Sequence, residues 1–279
     1  MEGFNVAVNN ELPFSVLICV YEKDNDEYFE QALKSITIDQ TLKPSQILLV
    51  VDGPINNEKR DIIERFSKLD GFTFDVLKLP VNVGQGKALN AGLDRCKYDY
   101  VARMDSDDIS MPDRFERQIG YLKMHPEVDV MSSFVEEFDG FQLSKVRALP
   151  LTAKEIHRFG KLRSPINHGA CIYKKEKVLA VGGYSSYVQL QDYLLFVKMI
   201  CAGFTFSNTA DIVLKVRMPG GYVKKSGLNY FKEEVNLAKD FYRMDYIGRV
   251  GIFRNILIRA LPRLLPNALV DRLYNLFLR

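Results

Sequence analysis

The chain has 279 residues, 47% hydrophobic and 26% charged, which suits one large α/β domain with a real core and leaves no low-complexity tract. The net charge of +3 singles out no partner, but its distribution is uneven: residues 247–279 hold six arginines against the single acid Asp271, so the rest of the chain is acidic. No nucleic-acid motif accompanies that basic end, and nucleic acid is not an expected partner.

In chain order, Phe14–Val20 is an apolar run of strand length and Tyr28–Ile38 has helical spacing. Gln46–Val51 is a second β-branched run ending at Asp52-Gly53-Pro54, Asn57–Leu69 is helical, and Phe72–Leu79 is a third strand. Gly84–Cys96 is helical and Tyr98–Met104 is a fourth strand. This βαβα order with fully apolar strands predicts a parallel sheet covered on both faces, with ligands outside the carboxyl ends of its strands. Beyond Pro112 the pattern changes. Asp113–Met124 reads as a helix, and Val128–Phe134 and Phe141–Arg147 as two strands turning at Asp139-Gly140. Gln191–Cys201 and Leu228–Tyr246 read as helices and Ile212–Val216 as a strand. Gly248–Arg279 reads as two amphipathic helices broken by Pro262 and Pro266.

Four cysteines, Cys19, Cys96, Cys171 and Cys201, lie far apart with no Cys-x-x-Cys spacing, which argues against zinc or a redox pair; buried free thiols are expected. The opening Met1-Glu2-Gly3 lacks a basic leader, and no run reaches the ~18 apolar residues of a membrane span. The expected location is the cytoplasm.

Asp105-Ser106-Asp107-Asp108 follows the fourth strand directly. Three carboxylates in four residues repel one another and are costly to gather without a cation. Hard oxygen ligands at a strand end suit Mg²⁺ or Mn²⁺, which take one or two protein carboxylates and fill their shell with water and phosphate. A solvated acidic turn capping the helix near Pro112 is the alternative.

With that cluster in place, the chain resembles family 2 of the inverting nucleotide-sugar glycosyltransferases, with the GT-A fold, and is similar to bacterial enzymes that build O-antigen, capsule or exopolysaccharide repeat units. The motifs carrying the resemblance fall in order over residues 14–217: Ser15–Tyr21, Val51-Asp52-Gly53, Asn82-Val83-Gly84, Asp105-Ser106-Asp107-Asp108, Gly182-Gly183-Tyr184 and Gln191-Asp192. The resemblance implies a catalytic domain at 1–247, with a nucleotide-binding half at 14–110 and an acceptor half at 111–247, followed by a basic amphipathic tail at 248–279. It implies a UDP-sugar donor lined by Val20, Tyr21 and Glu22, with Asp52 accepting from the uracil ring and Asn82, Gly84 and Lys87 contacting the nucleotide. Asn82 as a helix N-cap is compatible with that role. It makes Asp107 the direct ligand of Mn²⁺ or Mg²⁺, Asp105 a ligand of metal or ribose, and Asp108 a supporting residue or an acceptor for the donor sugar. Arg103 reaches donor phosphate or forms a surface ion pair. His168 lines the sugar side or is structural. Arg217, with Lys224 and Lys225 beside Gly220-Gly221, closes over the diphosphate or is a solvated loop. The general base falls to Asp192. Many members have Glu-Asp there, whereas this chain has Gln191-Asp192, so one carboxylate carries that role.

The implied acceptor is a polyprenyl-diphosphate-linked saccharide. In the tail, Ile252, Phe253, Ile256, Leu257 and Ala260 recur at helical spacing, as do Leu269, Leu273, Leu276 and Phe277, with arginines interleaved. Peripheral contact with the inner membrane is expected; packing on the catalytic domain or a homodimer contact are the alternatives. A nucleotidyltransferase is a competing reading, opposed by Tyr21-Glu22-Lys23-Asp24 where such enzymes carry a Gly-rich basic loop. A binding module that has lost catalysis is another, opposed by the full set of acids.

Overall fold

The computed structural model describes residues 12–138, 144–218 and 227–264. The Asp139-Gly140 turn, the Gly220-Gly221 and Lys224-Lys225 segment, and the second tail helix through Leu269–Phe277 lie outside them.

Four parallel strands form the first half of a nine-stranded sheet: β1 (Phe14–Val20), β2 (Gln46–Asp52), β3 (Thr73–Leu79) and β4 (Tyr100–Met104), side by side in the order β3-β2-β1-β4. Their apolar runs alternate between two cores. Val16, Ile18, Ile47 and Leu49 meet α1 (Asp26–Ile36), α2 (Asn57–Ser67) and α4 (Arg114–Met124) on one face. Leu17, Leu48 and Val50 meet α3 (Gln85–Leu93) and α7 (Gln191–Cys201) on the other. β1 and β2, buried on both sides, are apolar almost throughout; β3, at the sheet edge and half-exposed, departs from the expected apolar run with Asp75 and Lys78. Asn25 and Asn56 start α1 and α2, each side chain accepting a backbone N–H three residues on.

Beyond β4 the sheet is mixed. It continues through β8 (Ile172–Lys174), β6 (Val130–Phe138), β9 (Phe206–Arg217) and the two-residue β5 (Ile109–Ser110), with β7 (Ser144–Arg147) on the far side of β6. β8 runs antiparallel to both β4 and β6, while β9 runs parallel to β6. The expected strand at 212–216 is the end of a twelve-residue one. Two short helices not foreseen, α5 (Ala153–Phe159) and α6 (Lys175–Ala180), cover the second half; a capping box between Thr152 and Glu155 starts α5.

A third core joins α7 to α8 (Leu228–Arg243) through Tyr193, Leu194, Val197, Leu237 and Phe241. The tail continues as α9 (Arg249–Asn255), a π-helical turn Ile256–Ala260 and a 3-10 turn Leu261–Leu264, lying along α8. The thiols are free, but only Cys96 and Cys171 are buried; Cys201 is exposed, because it falls on the last, outer position of α7.

Candidate active site

The carboxyl ends of β1–β4 gather the sequence-predicted nucleotide residues. Val20 is buried at the end of β1, while Tyr21 and Glu22 stand exposed beyond it. Asp52 ends β2 and is buried; one carboxylate oxygen accepts from Val83 N (2.8 Å) and the other from Gly84 N (3.0 Å). It therefore shapes the loop before α3. Asn82 is not the cap of α3. Its side chain donates to the Asp52 carbonyl (3.2 Å), and Gly84 precedes the helix at φ +86°, a conformation that favours glycine. Lys87 is exposed on α3.

Arg103 is fully buried, with its guanidinium 2.5 Å from Asp105 and directed back at the Leu17 carbonyl. It lies beneath the acidic cluster as its counter-charge, neither a surface pair nor on the open side where a phosphate would sit. Burial works to raise the Asp105 carboxyl, but Arg103, with Arg114, holds it below the ordinary value. At Asp107 burial, Asp105 and Asp24 outweigh Arg217 and push it up to about 6. Asp108 is buried and raised well above the usual range by burial and both neighbouring aspartates. One oxygen of Asp108 accepts from Arg217 N (2.9 Å). Gly169 packs against both outer acids: a Cβ there would meet Asp105 Oδ2 at 2.9 Å and Asp108 Oδ2 at 3.3 Å.

Arg217 is anchored at the cluster's edge. Its Nε donates to the Asp107 carbonyl (2.8 Å), Nη2 donates to Gln31, and the guanidinium sits 3.9 Å above the Tyr28 ring. Asp24 was not foreseen. It accepts from Ser106 Oγ (2.8 Å) and Tyr21 N (3.1 Å), tying the β1 loop to the cluster, and burial raises its carboxyl. Nothing local in the sequence marks it.

A cavity of about 990 Å³ runs from this cluster to the tail. Asp105, Asp108, His168 and Asp192 all line it; Tyr21, Asp52, Asn82, Lys87 and Asp107 do not. His168 opens a 3-10 turn (His168–Ala170), and its Nε2 is 2.9 Å from Tyr184 Oη. Burial, then Arg103, pushes its pKa down to about 3, so the imidazole is neutral. Asn90 holds the Gly182-Gly183-Tyr184 segment in place, accepting from Tyr184 N (2.8 Å) and donating to Tyr184 O (2.9 Å). Asp192 is half-buried in the first turn of α7, where Leu190, not an acid, is the cap. Gln85, also unforeseen, joins the two sides: it donates to Asp105 (3.3 Å) and accepts from Gln191 (2.7 Å). In the common Glu-Asp pattern a second carboxylate would stand where Gln191 makes this link.

Of the described tail arginines only Arg249 is exposed; the other three turn inward. Arg259 and Arg263 converge on buried Glu234, and Arg254 donates to the Lys161 carbonyl (3.0 Å). The opposite face, Val250, Phe253, Leu257, Leu261 and Leu264, is exposed.

The sequence profile of glycosyl transferase family 2 matches residues 15–181. The chain is 38% identical over 262 residues to the amylovoran biosynthesis glycosyltransferase AmsE of Erwinia amylovora, covering 94% of this chain and 97% of that protein. It is 33% identical over 272 residues to the UDP-Gal:alpha-D-GlcNAc-diphosphoundecaprenol beta-1,3-galactosyltransferase of Escherichia coli, covering 95% and 96%. Its fold matches the crystal structure of S. aureus TarS 1-349 in complex with UDP-GlcNAc, with a TM-score of 0.67 at 17% identity over 96% of this chain and 76% of that one. The architecture is GT-A-like.

Proposed function

Because this chain belongs to glycosyl transferase family 2, we propose that it moves a hexose or N-acetylhexosamine from a UDP-sugar onto a polyprenyl-diphosphate-linked saccharide, with inversion to a β-linkage, in bacterial surface polysaccharide assembly. One observation carries the reading: a single cavity joins Asp105 and Asp108 at the donor end to Asp192 on the opposite element. The printed donor, acceptor and linkage of the galactosyltransferase relative support it.

In this reading the nucleotide lies across the ends of β1–β3, between Tyr21, Asp52 and Asn82. A carboxylate such as Asp52 accepts from a base N–H and cannot donate. Asp192 removes the proton from the acceptor hydroxyl as that oxygen attacks the anomeric carbon; the bond to UDP breaks on the opposite face and UDP leaves with its electrons. Neutral His168 beside Asp105 lines the sugar between them.

The acids fit a divalent ion. Burial and Asp105 raise both Asp107 and Asp108, with Asp24 adding to the first and Asp107 to the second, which is the strain a cation relieves. Among the described residues no group of three or more acidic, His or Cys side chains encloses a metal. The protein would supply Asp107 with Asp105, leaving the remaining positions to water and diphosphate. A bound Mn²⁺ or Mg²⁺ would neutralise charge on the leaving diphosphate.

No helix among the described residues is long and apolar enough to cross a membrane. Peripheral attachment is supported differently from the sequence expectation: the apolar stripe Val250–Leu264, and of the described tail arginines only Arg249, faces out. The nucleotidyltransferase reading gains nothing from the β1 loop, which has no glycine between Tyr21 and Asp24.

The test is UDP release and product mass, with and without Mn²⁺, for a panel of nucleotide sugars offered to a synthetic lipid-diphosphate-GlcNAc. A metal-dependent mass gain of one sugar supports the reading. Pyrophosphate release, or UDP-sugar binding with no transfer to any acceptor, overturns it.

A further inference from the structure

The cavity is polarised. Its donor end carries Asp105 and Asp108, whereas its tail end, beyond Asp192, is lined by Arg163, Arg259 and Arg263. Glu234 lies behind them, 1% exposed, taking Arg259 Nε at 2.7 Å, Arg259 Nη2 at 3.0 Å and Arg263 Nη2 at 3.1 Å. Arg259 stacks 4.7 Å over Tyr193, the residue after Asp192, and Arg263 lies 4.4 Å over Tyr230. Arg163 sits over the Phe159 ring at 5.6 Å and has no ion pair among the described residues. Arg163, Arg259 and Arg263 thus bring three guanidiniums to one wall of the cavity, and Arg163 meets no carboxylate there among the described residues. The guanidinium fork matches phosphate oxygens, and ring stacking with a buried carboxylate fixes that fork before any ligand arrives.

We propose that Arg163, Arg259 and Arg263 form a subsite for the diphosphate of the acceptor, with Glu234 as the positioning residue. This deepens the reading above and rests on it. The subsite lies on the Asp192 side of the cavity, away from the acids that would repel a second anion. An acceptor whose hydroxyl reaches Asp192 thereby has its anionic group on the same wall. A diphosphate diester offers oxygens to all three guanidiniums. Two of the three cations come from the tail segment, whose outer face is the exposed stripe with Leu257, Leu261 and Leu264. A lipid leaving the diphosphate there meets apolar surface. The tail is thus part of the acceptor site, not an appendage to it.

The test compares the full-length enzyme on two acceptors, GlcNAc-diphosphate-alkyl and the matching GlcNAc-alkyl glycoside, with farnesyl diphosphate binding measured by calorimetry as an arm independent of turnover. Losing one charge-assisted contact corresponds to about 10- to 100-fold. Arg163→Ala, at a half-exposed position without an ion pair, is expected to lower the kcat/KM preference for the diphosphate acceptor by that factor and to weaken farnesyl diphosphate binding. Glu234→Gln, which keeps the shape but releases the two guanidiniums, lowers the same preference. An unchanged preference with unchanged farnesyl diphosphate affinity overturns the subsite, as does an effect confined to the KM for UDP-sugar. A wild type that transfers to neither acceptor overturns the function reading instead, and the calorimetric arm still decides the subsite.

Discussion

Three carboxylates of the cluster mark the donor end, and their environments set them apart. Arg103 holds Asp105 low, while burial and the neighbouring acids raise Asp107 to about 6 and raise Asp108 well above the usual range. A carboxyl raised in the fold from an ordinary value near 3.8 stabilises the fold fully below that value and loses the contribution as pH rises through 6. A divalent ion favours the ionised form, so its stabilising effect runs the other way. The Tm gain on adding Mn²⁺ is expected to be larger at pH 7 than at pH 5; a larger gain at pH 5 would remove Asp107 from the metal site. Asp107→Ala is expected to abolish Mn²⁺-dependent UDP release. Asp192→Asn should cost about 10²- to 10⁴-fold in kcat, the usual worth of a general base, with UDP-sugar binding kept. Wild-type turnover in that variant would move the base elsewhere. The cluster stood out in the sequence because its acids are adjacent. Asp24 did not, since the chain brings it to Ser106 only through the β1–β4 pairing.

Elements from both halves reach the cluster, and small contacts hold them. The His168–Ala170 turn approaches Asp105 and Asp108 only because residue 169 lacks a Cβ. Gly169→Ala should displace those carboxylates and lower kcat/KM on the order of 100-fold while the fold persists, as circular dichroism would show. Asn90 clamps Tyr184, which in turn contacts His168. Asn90→Ala should cost about 1–3 kcal/mol in denaturant unfolding, because the paired backbone groups lose their partner. The parallel strands were legible as largely apolar runs. β8, with three residues, and the first half of β9, with its polar positions before the expected run Ile212–Val216, gave no comparable signal. The tail's periodicity was legible, but periodicity does not say which face turns inward. Glu234, far off in α8, decides it by drawing Arg259 and Arg263 in.

At the scale of the molecule, Asp105, Asp108, Asp192 and the tail residues Arg259 and Arg263 share one cavity, and the outer face of the tail is an exposed apolar stripe. Substituting Phe253→Asp and Leu257→Asp together should reduce co-sedimentation with anionic vesicles several-fold while leaving the fold intact, since Phe253 is 69% and Leu257 51% exposed. A dimer lost on that substitution, with vesicle binding unchanged, would assign the stripe to a second copy. The central claim is that this cavity brings a metal-held sugar nucleotide to a lipid-linked acceptor. It is tested most directly by incubating the enzyme with a UDP-sugar, Mn²⁺ and a lipid-diphosphate-GlcNAc, then weighing the lipid. A gain of one sugar, absent without Mn²⁺ and absent in Asp107→Ala, is the predicted result. Equal transfer with the metal chelated, or UDP-sugar consumption with no change in lipid mass, would contradict it.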